Sequence, residues 1–174
     1  MNVTGKLRKG FTTGTCAQAA AKAAGLMLRS KREVKRINVE TPKGVRLNLS
    51  IIDQKIGRNF AQCAVVKDAG DDPDVTDGIR IYAKVKYSDK KGISITGGAG
   101  VGIVTKPGLA LDVGEYAINP TPREMIIKEV TPYISRDKGV EVIISVPEGK
   151  KIAKSTFNPR LGIVGGISII GTTG

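Results

Sequence analysis

Apolar and polar side chains alternate strictly over the ten residues from Ile79 to Ser88. Successive side chains of a β-strand point to opposite faces, so this pattern predicts a strand with one buried face and one wet face. A sheet that is wet on one side is antiparallel or mixed rather than purely parallel. Other segments rich in β-branched residues predict strands at 36–40, 45–52, 60–67, 93–96 and 140–146, with a glycine-broken apolar strand at 162–170.

Two further segments have helical spacing. Apolar residues and alanines follow the turn-rich segment 10–15 with a helical period and predict a helix over Thr15–Leu28, with Thr15 as its N-cap. A capping-box pattern in Thr121-Pro122-Arg123-Glu124 predicts a second helix that kinks or ends near Pro132. The order helix, strands, helix, strands predicts an α+β fold with a mixed or antiparallel sheet and two main helices.

The length of the chain, 174 residues, is that of one ordinary domain. We assign residues 1–160 to an α+β domain that carries substrate binding and catalysis. The segment 161–174 is an apolar strand that runs into Gly171-Thr172-Thr173-Gly174, which resembles the start of a nucleotide-binding α/β domain. We therefore expect 161–174 to be the opening strand and loop of a further domain, and the 174 residues to be part of a longer chain.

The net charge and the small number of His and Cys residues limit the kinds of site that the chain can form. The chain has 28 Lys and Arg against 16 Asp and Glu, a formal charge of +12, which favours an anionic partner. It has no His, which excludes a Ser–His or Cys–His dyad and a His-ligated metal within these residues. Two cysteines provide neither a zinc ribbon nor a disulfide framework, so we expect reduced thiols and no metal site. With no signal peptide and no apolar run of about 18–20 residues, we expect a cytoplasmic protein without a membrane partner.

Two polar motifs are candidates for ligand binding. The turn Gly10–Thr15 precedes a helix N-terminus, where free N–H groups and the helix dipole favour an anion; the alternative is a simple helix cap. The segment 68–77 contains five aspartates, whose mutual repulsion costs free energy unless they are solvated, paired with cations or part of a functional site. The spacing does not match an EF-hand loop, and the alternative is an Asx-Pro turn between strands.

Glycines and arginines mark three more segments. Residues 96–108 are rich in glycine but match neither a Walker A loop nor a G-x-G-x-x-G motif. Such glycines allow a close approach of the backbone to a ligand, or they form a bulge in a twisted strand. The segments 119–123 and 158–160 each place an arginine beside an Asn-Pro turn, which suits a carboxylate clamp, although a solvated arginine is the simpler alternative.

Several long strings together resemble one enzyme family. They are Gly10-Phe-Thr-Thr-Gly-Thr-Cys-Ala, Asp68-Ala-Gly-Asp-Asp-Pro-Asp-Val-Thr, Gly97-Gly-Ala-Gly-Val-Gly, Thr105-Lys-Pro-Gly, Ala117-Ile-Asn-Pro, Pro122-Arg, and the run from Asn158 to Gly174. In this order, from about Leu7 to Gly174, they are similar to the cobalt-precorrin-5B C1-methyltransferases of anaerobic cobalamin synthesis.

This resemblance implies methylation of carbon C1 of a cobalt corrinoid by S-adenosylmethionine. The substrate carries ionised acetate and propionate arms, which a basic chain attracts. The methyl donor is a strong electrophile, so alignment matters more than a nucleophilic side chain. Family members are considerably longer and carry a second α/β domain. We therefore expect the present chain to fold but to have little or no methyltransferase activity.

The resemblance also suggests roles for individual residues. We expect the catalytic carboxylates among Asp68, Asp71, Asp72 and Asp74. We expect the anionic substrate to contact Thr13, Gly14, Thr15, Lys106, Asn119, Arg123, Asn158 and Arg160. We expect S-adenosylmethionine to contact Gly97, Gly98, Gly100, Gly171, Thr172, Thr173 and Gly174.

The alternative function is a basic nucleic-acid-binding module. The charge of +12 and the basic run Arg29–Arg36 support it. Aromatic residues, however, are only 4% of the chain, and no base-stacking motif is present. We therefore expect no nucleic-acid partner, and these patterns do not indicate an oligomeric state.

Overall fold

The structure is a computed structural model that describes residues 5–171. The helices are α1 (Thr13–Ser30), α2 (Pro120–Val130) and α3 (Gly149–Ala153), and a 3-10 turn covers Thr131–Tyr133. The strands are β1 (Arg36–Glu40), β2 (Arg46–Ser50), β3 (Ile52–Ile56), β4 (Phe60–Val66), β5 (Arg80–Ser88), β6 (Ile93–Gly97), β7 (Ile103–Val104), β8 (Gly139–Ser145) and β9 (Ile163–Val164). The fold is α+β, as the order of the sequence patterns predicts.

The main sheet has five strands in the order β3-β4-β5-β8-β6. Neighbouring strands are antiparallel except β6 and β8, which are parallel, so the sheet is mixed. The alternating strand β5 lies at its centre, where Val85 pairs with Ala61 of β4 on one side and with Val142 of β8 on the other. The strand predicted from the alternating segment is therefore confirmed, and it is the central strand of the main sheet.

Helix α1 covers one face of the sheet. Ile81, Ala83 and Val85 of β5 are fully buried beneath it, whereas Tyr82 and Lys84 are partly exposed on the opposite face. The buried side of α1 consists mainly of alanine, so its backbone lies close to β4 and β5. The period of two in β5 thus produces the one-sided burial that the sequence predicts.

Helix α1 begins two residues before its predicted start. Thr12 is the N-cap, because its Oγ1 accepts a hydrogen bond from the N–H of Thr15 at 3.1 Å. The prediction that Thr15 caps the helix is wrong, because both residues are threonines in a turn-rich segment and local propensity does not separate them. The helix ends at Lys31, which has φ 57° and donates its N–H to Met27 O.

Helix α2 also begins before its predicted cap. Asn119 is the N-cap and makes no side-chain cap hydrogen bond, while Pro120 and Pro122 occupy the first turn. The predicted capping box at Thr121 is therefore wrong, because Thr121 lies inside the helix. The helix ends at Val130 and passes into the 3-10 turn that contains Pro132, as predicted.

The predicted strand 45–52 is divided between two sheets. Strand β2 pairs with β1 in a separate hairpin, in which Ile37 lies opposite Leu49. The chain then turns at Ile51 and enters β3, which pairs with β4 and contains a register shift between Ile52 and Lys55. Asp53 within this shift has φ 53°, a left-handed conformation that marks a bulge.

The glycine-broken segment 162–170 forms little regular strand. Strand β9 pairs with β7 over two residues, and single parallel bridges join Ile167 to Val101 and Ile169 to Ile118. Ile167 and Ile169 are buried in the same core as α1 and the main sheet. The assignment of 161–174 to a further domain remains a prediction, and residues 172–174 lie outside the described part of the chain.

Candidate functional site

A cavity of about 680 Å³ opens beside the N-terminus of α1. Its walls come from residues within four segments, 9–13, 67–76, 156–158 and 167–170, together with Lys43. Cavities of roughly 300–1,000 Å³ are the usual size for small-molecule sites. The fold therefore brings the turn before α1, the acidic segment and the C-terminal strings to one concave site, although they are far apart in sequence.

The segment before α1 pairs with the acidic segment. The N–H of Phe11 donates to Asp68 O at 2.9 Å, and the N–H of Asp71 donates to Arg8 O at 2.9 Å. Gly70 forms an antiparallel bridge with Lys9 between these two bonds. The pairing fixes both segments as adjoining walls of the cavity.

The start of α1 is held by the C-terminal segment. The N–H of Gly14 donates to Ile170 O at 2.8 Å, and Thr13 Oγ1 accepts from the N–H of Ile170 at 3.0 Å. The N–H of Thr15 is bonded to Thr12. Two N–H groups that the sequence suggested for an anion thus have partners within the chain. Thr13 lines the cavity, whereas Gly14 and Thr15 are buried beside it.

Asp68 and Asp71 hold the acidic segment against Arg8. The Asp68 carboxylate forms a two-pronged ion pair with the Arg8 guanidinium at 2.5 and 3.0 Å, and it also accepts the N–H of Gly70. The hydrogen bond from Arg8 lowers the pKa of Asp68 below its ordinary value, and the Gly70 bond adds to this effect. Asp71 accepts the backbone N–H of Arg8 at 2.5 Å. Neither carboxylate lines the cavity.

Asp72 and Asp74 do line the cavity. Asp74 Oδ1 accepts the N–H and the Oγ1 hydroxyl of Thr76 at 2.8 and 2.7 Å, and its Oδ2 pairs with Lys67 Nζ at 3.1 Å. Burial raises the pKa of Asp74, but the Thr76 bonds and Lys67 outweigh it, so its pKa is below the ordinary value. Asp72 is exposed at the wall. Of the four expected catalytic carboxylates, two therefore reach the site.

The C-terminal segment closes the cavity opposite the acidic segment. Asn158 Oδ1 accepts the hydroxyl of Ser168 at 3.1 Å, and both residues line the wall. Gly171 lies against Pro122 and Met125 at the start of α2, where a Cβ atom would come within 3.2–3.3 Å of their side chains. The expected cofactor residues Thr172, Thr173 and Gly174 lie outside the described residues.

The glycines at 97–100 lie away from the cavity. Gly97 packs against the Tyr116 ring, and the N–H of Gly98 donates to Ile144 O at 2.8 Å. Gly100 has φ +77°, and a Cβ there would lie only 1.6 Å from Val146 O. These glycines allow segments of the chain to approach one another, and contact with a cofactor at this place remains a prediction.

Four other expected substrate residues also lie outside the cavity wall. The Nε–H of Arg123 donates to the carbonyl oxygen of Ile118, just before α2, at 2.7 Å. Asn119 is the N-cap residue of that helix. Lys106 and Arg160 are exposed. Thr13 and Asn158 are therefore the expected substrate residues that line the cavity.

Three lysines of the cavity wall were not among the expected site residues: Lys9, Lys43 and Lys67. Lys67 is 5% exposed and follows β4 directly. Lys67 lies on the same face as the buried residues 61, 63 and 65, but the sequence carries no signal for this, because the apolar Val66 is exposed and the charged Lys67 is buried. Phe157, another wall residue, is 74% exposed and presents an aromatic ring beside the opening.

A second cavity of about 550 Å³ lies between the β1–β2 hairpin and the two long helices. Lys22 Nζ donates to Asn38 O at 2.6 Å and pairs with Glu129 at 3.4 Å. The buried Gln18 donates to Glu129 at 3.0 Å and to Glu40 O. These polar groups mainly pair with one another, which joins α1, α2 and the hairpin.

The two cysteines are free and buried. Burial raises the pKa of Cys63 to about 12 and also raises that of Cys16. Within residues 5–171, no group of three His, Cys, Asp or Glu side chains could hold a metal ion. In the same range, no helix has both the length and the hydropathy to cross a membrane.

Comparison with known proteins gives a consistent result. The family model CbiD matches residues 1–174. The cobalt-precorrin-5B C(1)-methyltransferase of Clostridium perfringens strain SM101 is 55% identical over 97% of this chain and 46% of its own length. The protein of the same name from Thermoanaerobacter sp. strain X514 is 52% identical with the same coverage.

A solved structure supports the same relationship. The cobalamin biosynthesis protein CbiD from Archaeoglobus fulgidus superposes with a TM-score of 0.72 and 39% identity, covering 97% of this chain and 54% of that chain. The chain thus spans about half the length of the relatives that it matches. Because the family model matches the whole chain and these relatives are so similar in sequence, the chain belongs to the CbiD family.

Proposed function

We propose that this chain takes part in the methylation of carbon C1 of cobalt-precorrin-5B by S-adenosylmethionine, which gives cobalt-precorrin-6A. The observation that carries the proposal is the 55% identity, over 97% of the chain, to a relative named for this reaction. The cavity beside α1 supports it, because motifs that carry the family resemblance form its walls.

The chemistry of the cavity suits both reactants. S-adenosylmethionine supplies an electrophilic methyl group next to a positive sulfur, so the reaction needs alignment and charge complementarity. Asp72 is an exposed carboxylate at the wall that can face the positive sulfur. Lys9 and Lys43 are cations at the same wall that can face the carboxylate arms of a corrinoid.

The contacts of the acidic segment support two different roles for its carboxylates. Asp68 and Asp71 bind Arg8 and fix the segment, whereas Asp72 remains open to the cavity. We infer that Asp72 is the carboxylate that acts on the reactants and that Asp68 and Asp71 hold the wall in place. Thr12 and Asn158 add polar groups that orient a ligand beside it.

The test must supply the part of the enzyme that this chain does not cover. We suggest a chimera in which this chain replaces the matching 169 residues of the Clostridium perfringens relative. The chimera is incubated with cobalt-precorrin-5B and methyl-labelled S-adenosylmethionine. We expect label at C1 of the ring. A folded chimera that transfers no label, beside an active parent, would show that this chain does not support the reaction.

The nucleic-acid alternative has no comparable support. None of these relatives is named for nucleic-acid binding. The wall of the cavity combines lysines with carboxylates, whereas nucleic-acid sites combine lysines and arginines with stacking aromatic rings.

A further inference from the structure

Lys67 is a buried cation in the wall of the cavity beside α1. Its side chain is 6% exposed, although it contributes to that wall. Both backbone polar groups of Lys67 are bonded to the segment before β5, since its N–H donates to Ile79 O at 2.9 Å and its carbonyl accepts the N–H of Gly78 at 2.8 Å. The position of this lysine is therefore fixed by the sheet.

The Lys67 ammonium has more donors than partners. A protonated lysine has three N–H donors, and within residues 5–171 one acceptor contacts them, Asp74 Oδ2 at 3.1 Å. Asp74 is itself 41% exposed and shares its other oxygen with Thr76. A buried charge is stable only when it is paired and hydrogen-bonded, so the remaining donors favour an anionic partner.

The surroundings select the kind of anion. Lys9 and Lys43 line the same wall, so three lysines face two carboxylates, Asp72 and Asp74. If the cavity binds the reactants of the proposed reaction, both of them bring carboxylates. The corrinoid carries them on its arms, and S-adenosylmethionine carries one on its methionyl group. We propose that Lys67 anchors a carboxylate of the bound ligand in this cavity. This inference rests on the proposed function for the identity of that ligand.

The test compares a carboxylated corrinoid with its ester. Cobyrinic acid and its heptamethyl ester are titrated by calorimetry into the chimera described above and into its Lys67→Met variant. Methionine keeps an unbranched side chain but removes the charge. Loss of a charged hydrogen bond should weaken cobyrinic acid binding by about 10- to 100-fold. Binding of the ester should be the same in both proteins.

A matched control separates a specific contact from general charge attraction. Lys91→Met makes the same change in net charge at an exposed position in the turn between β5 and β6. It should bind cobyrinic acid like the wild type. Equal weakening in Lys67→Met and Lys91→Met would overturn the proposal.

A second variant guards against loss of folding in Lys67→Met, where Asp74 loses its partner. The double variant Lys67→Met/Asp74→Asn removes both charges, and the amide oxygen of the introduced asparagine can still accept the N–H of Thr76. It should show wild-type circular dichroism and the same loss of cobyrinic acid affinity. A folded double variant with wild-type affinity would overturn the proposal.

The source of the carboxylate is decided by a parallel titration with S-adenosylmethionine. A loss confined to cobyrinic acid indicates an arm of the corrinoid, and a loss confined to S-adenosylmethionine indicates its methionyl group. Wild-type binding that Lys67→Met leaves unchanged for both ligands overturns this inference alone. A wild-type chimera that binds neither ligand overturns the inference and also counts against the proposed function.

Discussion

Gly14, at the start of α1, lets the C-terminal segment reach the helix. A Cβ at this position would lie 2.7 Å from Ile170 O and 2.8 Å from Gly171 Cα, distances that real Cβ atoms do not adopt. Both contacts are with backbone, which cannot rotate away as a side chain can. The substitution Gly14→Ala must therefore move the segment 170–171 away from α1.

The expected change in the free energy of unfolding combines one stabilising and two destabilising contributions. Replacing glycine by alanine in an unobstructed helix stabilises it by up to about 1 kcal/mol. Overpacking costs about 1–3 kcal/mol. Displacement of Ile170 also weakens the hydrogen bond from the N–H of Gly14, which contributes about 1 kcal/mol. We expect Gly14→Ala to lower the free energy of unfolding by about 2 kcal/mol.

Urea unfolding followed by circular dichroism measures this change. With an m-value of about 2 kcal/mol/M, the midpoint should fall by about 1 M. Gly25→Ala is the control in the same helix, because its Cβ would meet Tyr133 Cδ2 at an ordinary 3.4 Å. The midpoint of this control should stay unchanged or rise by up to about 0.5 M. A Gly14→Ala chain as stable as the wild type would refute the packing argument.

Three further predictions follow from the contacts. The pKa of Asp68 is lowered in the folded chain. Its contribution to stability is therefore complete above the unfolded pKa of about 3.9 and is lost as the pH falls through the folded pKa. Asp68→Asn should flatten the acid side of a curve of unfolding free energy against pH, and an unchanged curve would contradict this. Cys63, with a pKa raised to about 12, and Cys16 should react with a thiol reagent at about pH 8 only after denaturation, and rapid labelling of the native chain would exclude their burial. Arg123→Ala should lower the free energy of unfolding by about 2 kcal/mol without changing cobyrinic acid affinity, because its guanidinium bonds Ile118 O. Weaker binding at unchanged stability would instead place Arg123 in contact with the substrate.

The sequence predicted the elements whose signal is local. Strict alternation identified β5, and the sheet forms around it because every second side chain from Ile79 to Val85 is buried. The start of α1 was less certain, since Thr12 and Thr15 are equally good caps by residue type, and the hydrogen bond from the N–H of Thr15 to Thr12 Oγ1 shows that Thr12 is the cap. Residue propensity alone does not fix a helix end to within one or two residues.

The partners of the acidic segment could not be predicted. Asp68 pairs with Arg8, which is 60 residues away, and Asp74 pairs with a lysine that belongs to none of the recognised motifs. Similarly, Gly100 meets Val146 and Gly149 through the fold rather than through the local chain. Lys67 had no local signal either, because the apolar run Ala64-Val65-Val66 before it does not alternate with polar residues.

We propose that the cavity beside α1 binds the reactants of corrin C1 methylation. A crystal structure of the chimera with cobyrinic acid and S-adenosylhomocysteine tests this proposal. We expect ligand density between Thr12, Asp72 and Asn158, with a carboxylate about 3 Å from Lys67 Nζ. Ligand bound at another surface, with only solvent in this cavity, would contradict the account.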